Sequence, residues 1–225
     1  MPQISIIIPV YNAQKTLEKC LASVFSQTFR SFEVIAVNDG STDNSLKILQ
    51  KYQRQITIVN QPNQGAGGAR NAGAKISRGQ FLIFCDADIV MTPKMLEIMT
   101  KALRKKQGAS YVYSSFKFGR KTFKLWPFDP KRLKTMPYIH TTSLIRQKHF
   151  PGFDKKLKRF QDWDLWLTML KRGHKGLFIN QVLFTVKPGG TMSNWLPSVA
   201  YKLPWLKKVR QYKEAEKIIK EKHNL

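Results

Sequence analysis

Four short apolar runs separated by helical patterns constrain this chain more than any other feature. They are Ile4–Val10, Phe32–Val37, Ile56–Val59 and Phe81–Cys85. The first, ISIIIPV, is rich in β-branched residues and almost wholly apolar, which predicts a strand covered on both faces. Helical spacing returns between the runs. Leu17, Cys20, Leu21, Val24 and Phe25 fall at i, i+3, i+4, i+7 and i+8 within a helix expected over roughly Ala13–Gln27. A second helix is expected over roughly Asp43–Tyr52, preceded by capping residues, and a Gly/Ala-rich third over roughly Ala66–Ser77. Strands alternating with helices imply an α/β fold built on a doubly wound, mostly parallel sheet. Such sheets bind ligands beyond the carboxyl ends of their strands, and here all four runs end in polar sequence.

The fourth run stops at Asp86-Ala87-Asp88. In an extended segment this spacing points both carboxylates to one side. They repel unless a cation lies between them, and hard oxygen ligands suit Mg²⁺ or Mn²⁺, especially when phosphate oxygens complete the shell. A polar turn after a buried strand would account for an isolated pair of this kind. The neighbouring strand ends argue for a site instead. Acids are scarce, with 14 Asp+Glu against 39 Lys+Arg and a net charge of +25, so an anionic partner is expected. Six of the eight aspartates nevertheless fall in three clusters, at 39/43, 86/88 and 162/164, which marks those clusters as candidates for chemistry.

After a helix over Met95–Lys106 the patterning weakens. Strands are expected at Ser110–Phe118, His140–Ile145 and Leu177–Val186, an irregular stretch at Arg120–Tyr138, and helices at Gln161–Lys171 and Lys207–Lys222. Cys20 and Cys85 read as small core residues in a reducing compartment. A strand stands where a secretory leader would, and no apolar run approaches the ~20 residues of a spanning helix. The expectation is a cytoplasmic protein. Uncompensated charge from Leu165 to Lys213, with Trp195, Trp205 and Leu206 beside Lys207, Lys208 and Arg210, adds peripheral attachment to an anionic inner membrane face.

Two nucleotide-binding fingerprints fail. Gly65-Ala66-Gly67-Gly68-Ala69-Arg70 has Arg70 at the third glycine position and follows the third strand, not the first. Gly68…Gly73-Ala74-Lys75 lacks the lysine directly after glycine that a P-loop requires. Those glycines read better as permitting close helix–sheet packing, with Arg70 a phosphate-facing cation near the helix start.

Five motifs occur in order: Pro9-Val10-Tyr11-Asn12; Val37-Asn38-Asp39-Gly40-Ser41-Thr42-Asp43; Asn63-x-Gly65 with Ala69-Arg70-Asn71-x-Gly73; Asp86-Ala87-Asp88; and Gln161-Asp162-Trp163-Asp164-Leu165-Trp166. Together, over roughly Ile4–Ser193, the chain resembles the inverting family 2 glycosyltransferases of the GT-A fold. That resemblance implies a nucleotide-sugar donor, UDP-linked, held by Pro9, Val10, Tyr11, Asn12, Asp39, Asn63, Gly65, Arg70, Asp86, Ala87 and Asp88. Asp39 would lie at the base, and Asp88 with Asp86 would carry Mn²⁺ or Mg²⁺ on the diphosphate. Asp162 would be the general base on a hydroxyl of a glycan or lipid-linked acceptor, and Asp164 would be structural.

The chain departs from the family pattern in Gln161, where relatives usually have Glu, and in the absence of a histidine at Lys187–Gly190. His140 reads equally as an acceptor-side residue or a core one, and Trp163 and Trp166 as sugar-stacking or core residues. The implied organisation is a catalytic domain over 1–194, divided at about 109/110 into donor and acceptor halves, with a basic aromatic tail over 195–225. Two rivals stand beside this reading: a basic nucleic-acid-binding protein, which leaves the strand-end aspartates unexplained, and a glycosyltransferase-like binding protein without activity.

Overall fold

A computed structural model describes residues 1–188 and 206–225. The first half alternates as expected: β1 (Ile4–Val10), α1 (Leu17–Phe25), β2 (Phe32–Asp39), α2 (Ser45–Lys51), β3 (Thr57–Gln61), α3 (Gly65–Ile76), β4 (Phe81–Phe84), β5 (Ile89–Met91) and α4 (Met95–Lys105). The second half adds β6 (Tyr111–Phe118), β7 (Lys121–Phe123), α5 (Pro130–Thr135), β8 (Leu144–Arg146), α6 (Gln161–Lys171), β9 (Gly176–Val186) and α7 (Lys207–His223). The strands join one mixed sheet in the order β3-β2-β1-β4-β8-β6-β9-β5, with β7 paired on β6. β3, β2, β1 and β4 are mutually parallel, and β8 begins the antiparallel part beside β4.

Period-two alternation sorts the side chains of β1. Ile4, Ile6, Ile8 and Val10 enter a core with Leu17, Leu21 and Val24 of α1 and Met95, Leu96 and Met99 of α4. Ile7 points to the opposite face, into a second core with Phe84, Tyr111, Trp163 and Trp166. With both faces covered, nearly every residue of the run is apolar. α3 lies so close to β1 that a Cβ on Gly73 would stand 2.5 Å from Ile7 Cγ2, which explains the small residues of that helix.

Several boundaries moved for local reasons. α1 begins at Leu17 rather than Ala13, because residues 12–14 are bound to the loop after β2. The strand expected at His140–Ile145 shrinks to Leu144–Arg146. Residues 140–143 form a turn in which His140 Nδ1 accepts from Thr142 N at 3.0 Å and His140 O accepts from Ser143 Oγ at 2.7 Å. The stretch expected to be irregular contains β7 and α5. α5 is started by Pro130 at its first position and by Asp129, whose carboxylate accepts from Lys131 N and Arg132 N.

Cys20 and Cys85 are buried and unbridged, with sulfurs 3.7 Å apart. Trp163 and Trp166 are both core residues. Their indole N–H groups donate to Leu133 O at 2.6 Å and Ile139 O at 2.8 Å, which corrects the reading of either as a sugar platform. No helix among the described residues is long and apolar enough to cross a membrane. Trp195 and Trp205 lie outside the described residues.

Replacing Gly73 by valine tests the helix–sheet contact. The added side chain must displace Ile7 or lift α3, at a cost of about 1–3 kcal/mol. Thermal unfolding followed by circular dichroism should show a melting temperature several degrees lower.

Candidate active site

Because β1 to β4 are parallel, their carboxyl ends meet at one edge of the sheet, and the loops leaving that edge are tied to one another. The β1 and β2 loops interlock reciprocally. Asn12 N donates to Ser41 Oγ (3.2 Å), Ala13 N to Ser45 Oγ (2.8 Å) and Gln14 N to Asp43 Oδ2 (3.0 Å). In return Thr42 N donates to Asn12 Oδ1 (2.8 Å) and Asn44 N to Gln14 Oε1 (3.1 Å). Asn12 adopts φ 49° to close this contact. Burial works against ionisation of Asp43, but hydrogen bonds from Ser45 and from the Gln14 backbone outweigh it and hold the carboxyl below its ordinary value. Ser41, Asp43 and Ser45 thus fix a loop, beyond the capping role their types suggest.

Asp39, almost wholly buried at the end of β2, binds the third strand and the turn after it. Its Oδ1 accepts from Gln61 Nε2 at 2.6 Å and from Gln64 N at 2.9 Å. Gly65, at φ 76°, turns the chain from that loop into α3.

Arg70 projects from α3 and is 3% exposed. Its Nη2 donates to Asp86 Oδ1 at 2.7 Å and its Nη1 to Gln161 Oε1 at 2.9 Å, while the guanidinium carbon lies 5.2 Å from the Phe153 ring centroid. Nε has no partner among the described residues. The residue expected to be a phosphate-facing cation thus lines the cleft while its guanidinium pairs with Asp86.

The Asp86-Ala87-Asp88 segment is not extended. β4 ends at Phe84, and Ile89 N donates to Asp86 O at 2.9 Å, closing a turn. Both aspartates still reach one cavity of about 480 Å³. Pro9, Val10, Tyr11, Asn12, Asp39, Asn63, Gly65, Arg70, Asp86, Ala87 and Asp88 all line it, and so do Lys15, Thr16 and Asp43, which sequence reasoning did not assign to it. Asp88 accepts no hydrogen bond from another described side chain. Burial and then the charge of Asp86 push its carboxyl up to about 7. No three described His, Cys, Asp or Glu residues form a closed metal cage. Two carboxylates whose mutual repulsion is only partly relieved by Arg70 fit a hard divalent cation that takes its remaining ligands from phosphate and water.

Asp162 is not among the residues lining that cavity; it stands in the first turn of α6, next to Gln161, which accepts from Arg70. Phe160 turns the chain into this helix in a left-handed conformation (φ 56°), Gln161 Nε2 donates to Leu157 O at 2.6 Å, and Asp162 Oδ1 accepts from Trp163 N at 2.9 Å. Burial raises the Asp162 carboxyl above its ordinary value, opposed by His140 and Arg70. His140, half-buried between Phe116 and Phe184, is held low by its own burial and feels the charges of both Asp86 and Asp162, so it borders the site from the second half of the chain. Asp164 faces away. Its Oδ1 sits 2.8 Å from Lys222 Nζ and 2.7 Å from His223 Nε2, anchoring α7.

The chain is similar to known proteins. A chondroitin synthase of Pasteurella multocida is 29% identical over 197 residues, covering 82% of this chain and 20% of its own length. S. aureus TarS 1-349 in complex with UDP-GlcNAc superposes with a TM-score of 0.76 at 20% identity, covering 97% of this chain and 65% of that one. The mannosyltransferase PcManGT from Pyrobaculum calidifontis, in complex with GDP-Man and Mn²⁺, gives a TM-score of 0.68 at 16% identity over 86% of this chain and 59% of that one. The chain thus spans about a fifth of the synthase and 59–65% of the two solved structures, and its fold is GT-A. The glycosyl transferase family 2 profile matches residues 5–164, from β1 to the residue after Trp163, and the chain belongs to that family.

Proposed function

We propose that this chain catalyses metal-dependent, inverting transfer of a sugar from a UDP-linked donor to a hydroxyl of a glycan or lipid-linked acceptor. The observation that carries the reading is the meeting of four strand ends around one cavity, with buried Asp39 and the Asp86/Asp88 pair among its lining.

Asp39 has one oxygen satisfied by Gln61 and Gln64, which leaves the other to accept an imide N–H of the kind uracil carries. Asp88 and Asp86 would hold Mn²⁺ or Mg²⁺, whose chemistry is to neutralise charge on the departing diphosphate. Arg70 orients Asp86 and adds positive potential beside it. Asp162 accepts the proton of the acceptor hydroxyl as that oxygen bonds to the anomeric carbon and the bond to the donor phosphate breaks on the opposite face. Its raised affinity for protons, caused by burial, makes it a stronger base than a solvated aspartate. Gln161 removes a negative charge beside it that a glutamate would supply. The bound UDP-GlcNAc and Mn²⁺ of the two solved relatives support the donor and metal classes.

Asp162→Asn keeps the side-chain shape and loses the proton acceptor. Transfer should fall by ~10²–10⁴, the usual contribution of a general base, while calorimetric binding of UDP with Mn²⁺ persists. Loss of UDP binding as well would assign Asp162 to structure or to the donor side. Asp164→Asn should instead lower the melting temperature and leave more activity than Asp162→Asn.

Metal-supported UDP binding should depend on pH through Asp88. Below about pH 7 this carboxyl is protonated and must release its proton to bind a cation. Apparent affinity for Mn²⁺ should therefore fall as pH drops from 7.5 to 5.5, approaching tenfold per unit. Proton release should be visible as a buffer-dependent calorimetric enthalpy, and Asp88→Asn should abolish both metal-supported UDP binding and this dependence. A flat profile in wild type would remove Asp88 from the metal site.

A further inference from the structure

The charge of the acceptor half is not distributed as a solvating coat. Residues 110–188 carry 17 Lys+Arg and four acids, all aspartate. Three of those aspartates have partners that are not the side chains of these cations, although Asp129 accepts from Arg132 N and Asp154 from Lys156 N. Asp129 caps α5, while Asp154 and Asp164 pair with Lys222 of α7. The fourth is Asp162 itself. Among the described residues, no salt bridge joins Arg132, Lys134, Lys156 or Lys158 to a carboxylate.

Side chains flanking the proposed base hold two of these basic segments through their backbone carbonyls. Leu133 O accepts from Trp163 Nε1, and Leu157 O accepts from Gln161 Nε2, so the residues on either side of Asp162 each grip one segment. Leu133 and Leu157 are buried, and the cations beside them in sequence are exposed: Arg132 and Lys134 around the first, Lys156 and Lys158 around the second. Arg132 is further steadied against Trp126, 4.4 Å from the ring centroid. Exposed cations are thus fixed within a residue of two anchors that bracket Asp162. An exposed charge acts over about a Debye length, ~8 Å at physiological salt, and among the described residues no carboxylate forms a salt bridge with these four side chains. An acceptor whose repeating units bear negative charge would gain from these contacts, whereas a neutral one would gain nothing from them.

We propose that the acceptor is a polyanion, a glycan or related polymer carrying carboxylate or phosphate groups near the hydroxyl that is modified, and that Arg132, Lys134, Lys156 and Lys158 read those groups. The inference rests on the glycosyltransferase reading above and specifies its acceptor class.

The test uses the full chain with three probes at 0.15 M salt: oligogalacturonate for carboxylate, inorganic polyphosphate for phosphate, and neutral dextran. Two charge-reversed variants accompany wild type. Lys156→Glu/Lys158→Glu alters the proposed surface, and Lys101→Glu/Lys105→Glu makes the same charge change on α4, which packs on the other face of the sheet. Circular dichroism checks that each is folded. At least one polyanion should bind wild type tenfold or more tighter than dextran. The first variant should lose that advantage tenfold or more, and the second by less than threefold. Preference for oligogalacturonate assigns a carboxylate acceptor, and preference for polyphosphate a phosphate one. Equal losses in both variants would mean diffuse attraction by net charge and would overturn the proposal. So would equal binding of dextran. UDP binding with Mn²⁺ is measured on the same samples. If wild type fails that, the parent reading falls; if it binds UDP but not the polyanions, the acceptor inference alone is overturned.

Discussion

The buried guanidinium of Arg70 joins the two halves of this protein. It leaves α3 in the first half, pairs with Asp86 at the end of β4, and donates to Gln161 at the start of α6 in the second half. Burying an arginine is costly, and an ion pair in low dielectric returns that cost only with good geometry and further hydrogen bonds. Here the bonds are 2.7 and 2.9 Å and Phe153 covers the face, yet Nε is left without a described partner. A contact with that unmet donor does not serve stability alone. It holds Asp86 and the start of the helix bearing Asp162 at fixed positions relative to each other. Gln161 also sets the local charge. With a neutral amide as its second partner, Arg70 is balanced by one carboxylate, and that carboxylate lies beside Asp88.

The rest of the site follows from a parallel sheet. Four parallel strands deliver their following loops to one edge, but the edge becomes a cavity only if those loops hold one another. The exchange between Asn12–Gln14 and Ser41–Ser45 does this for the first two. Asp39 does it for the second and third, through Gln61 and the backbone of Gln64. On the acceptor side tryptophan indoles take the same role. Trp163 and Trp166 spend their N–H groups on the carbonyls of Leu133 and Ile139, so the segment between α5 and β8 is held by α6, the helix that carries Asp162.

How much of this was legible in the sequence depends on the range of the interaction that decides each feature. Strand-like runs, helix periodicity and the polar ends of β1 to β4 are written in neighbouring residues, so the donor half was readable as a parallel α/β sheet with its site at the carboxyl edge. The family resemblance brought Asp39, Arg70, the 86/88 pair and Asp162 together as candidates, and eleven donor-side candidates do line one cavity. The start of α5 was readable from Asp129-Pro130, a capping signal hidden in a basic, aromatic stretch. Lys15 and Thr16 carried no comparable local signal.

Only the tertiary structure decided the partners. Nothing near position 70 in sequence says that Arg70 pairs with Asp86 and Gln161, the latter 91 residues away. Nothing near position 164 says that its carboxylate meets Lys222 and His223 of a helix that begins at Lys207. The tryptophans show the same division: their composition allows a sugar platform or a core, and the distant carbonyls that take their N–H groups settle it. The turn at Asp86–Ile89 bends a segment whose residues would suit a strand. Local sequence determined the elements and the chemical types at their ends, because backbone propensity and periodicity act over a few residues. Charge pairing, burial and access to the cleft awaited the fold, because they depend on groups brought together from 16 to 91 positions apart.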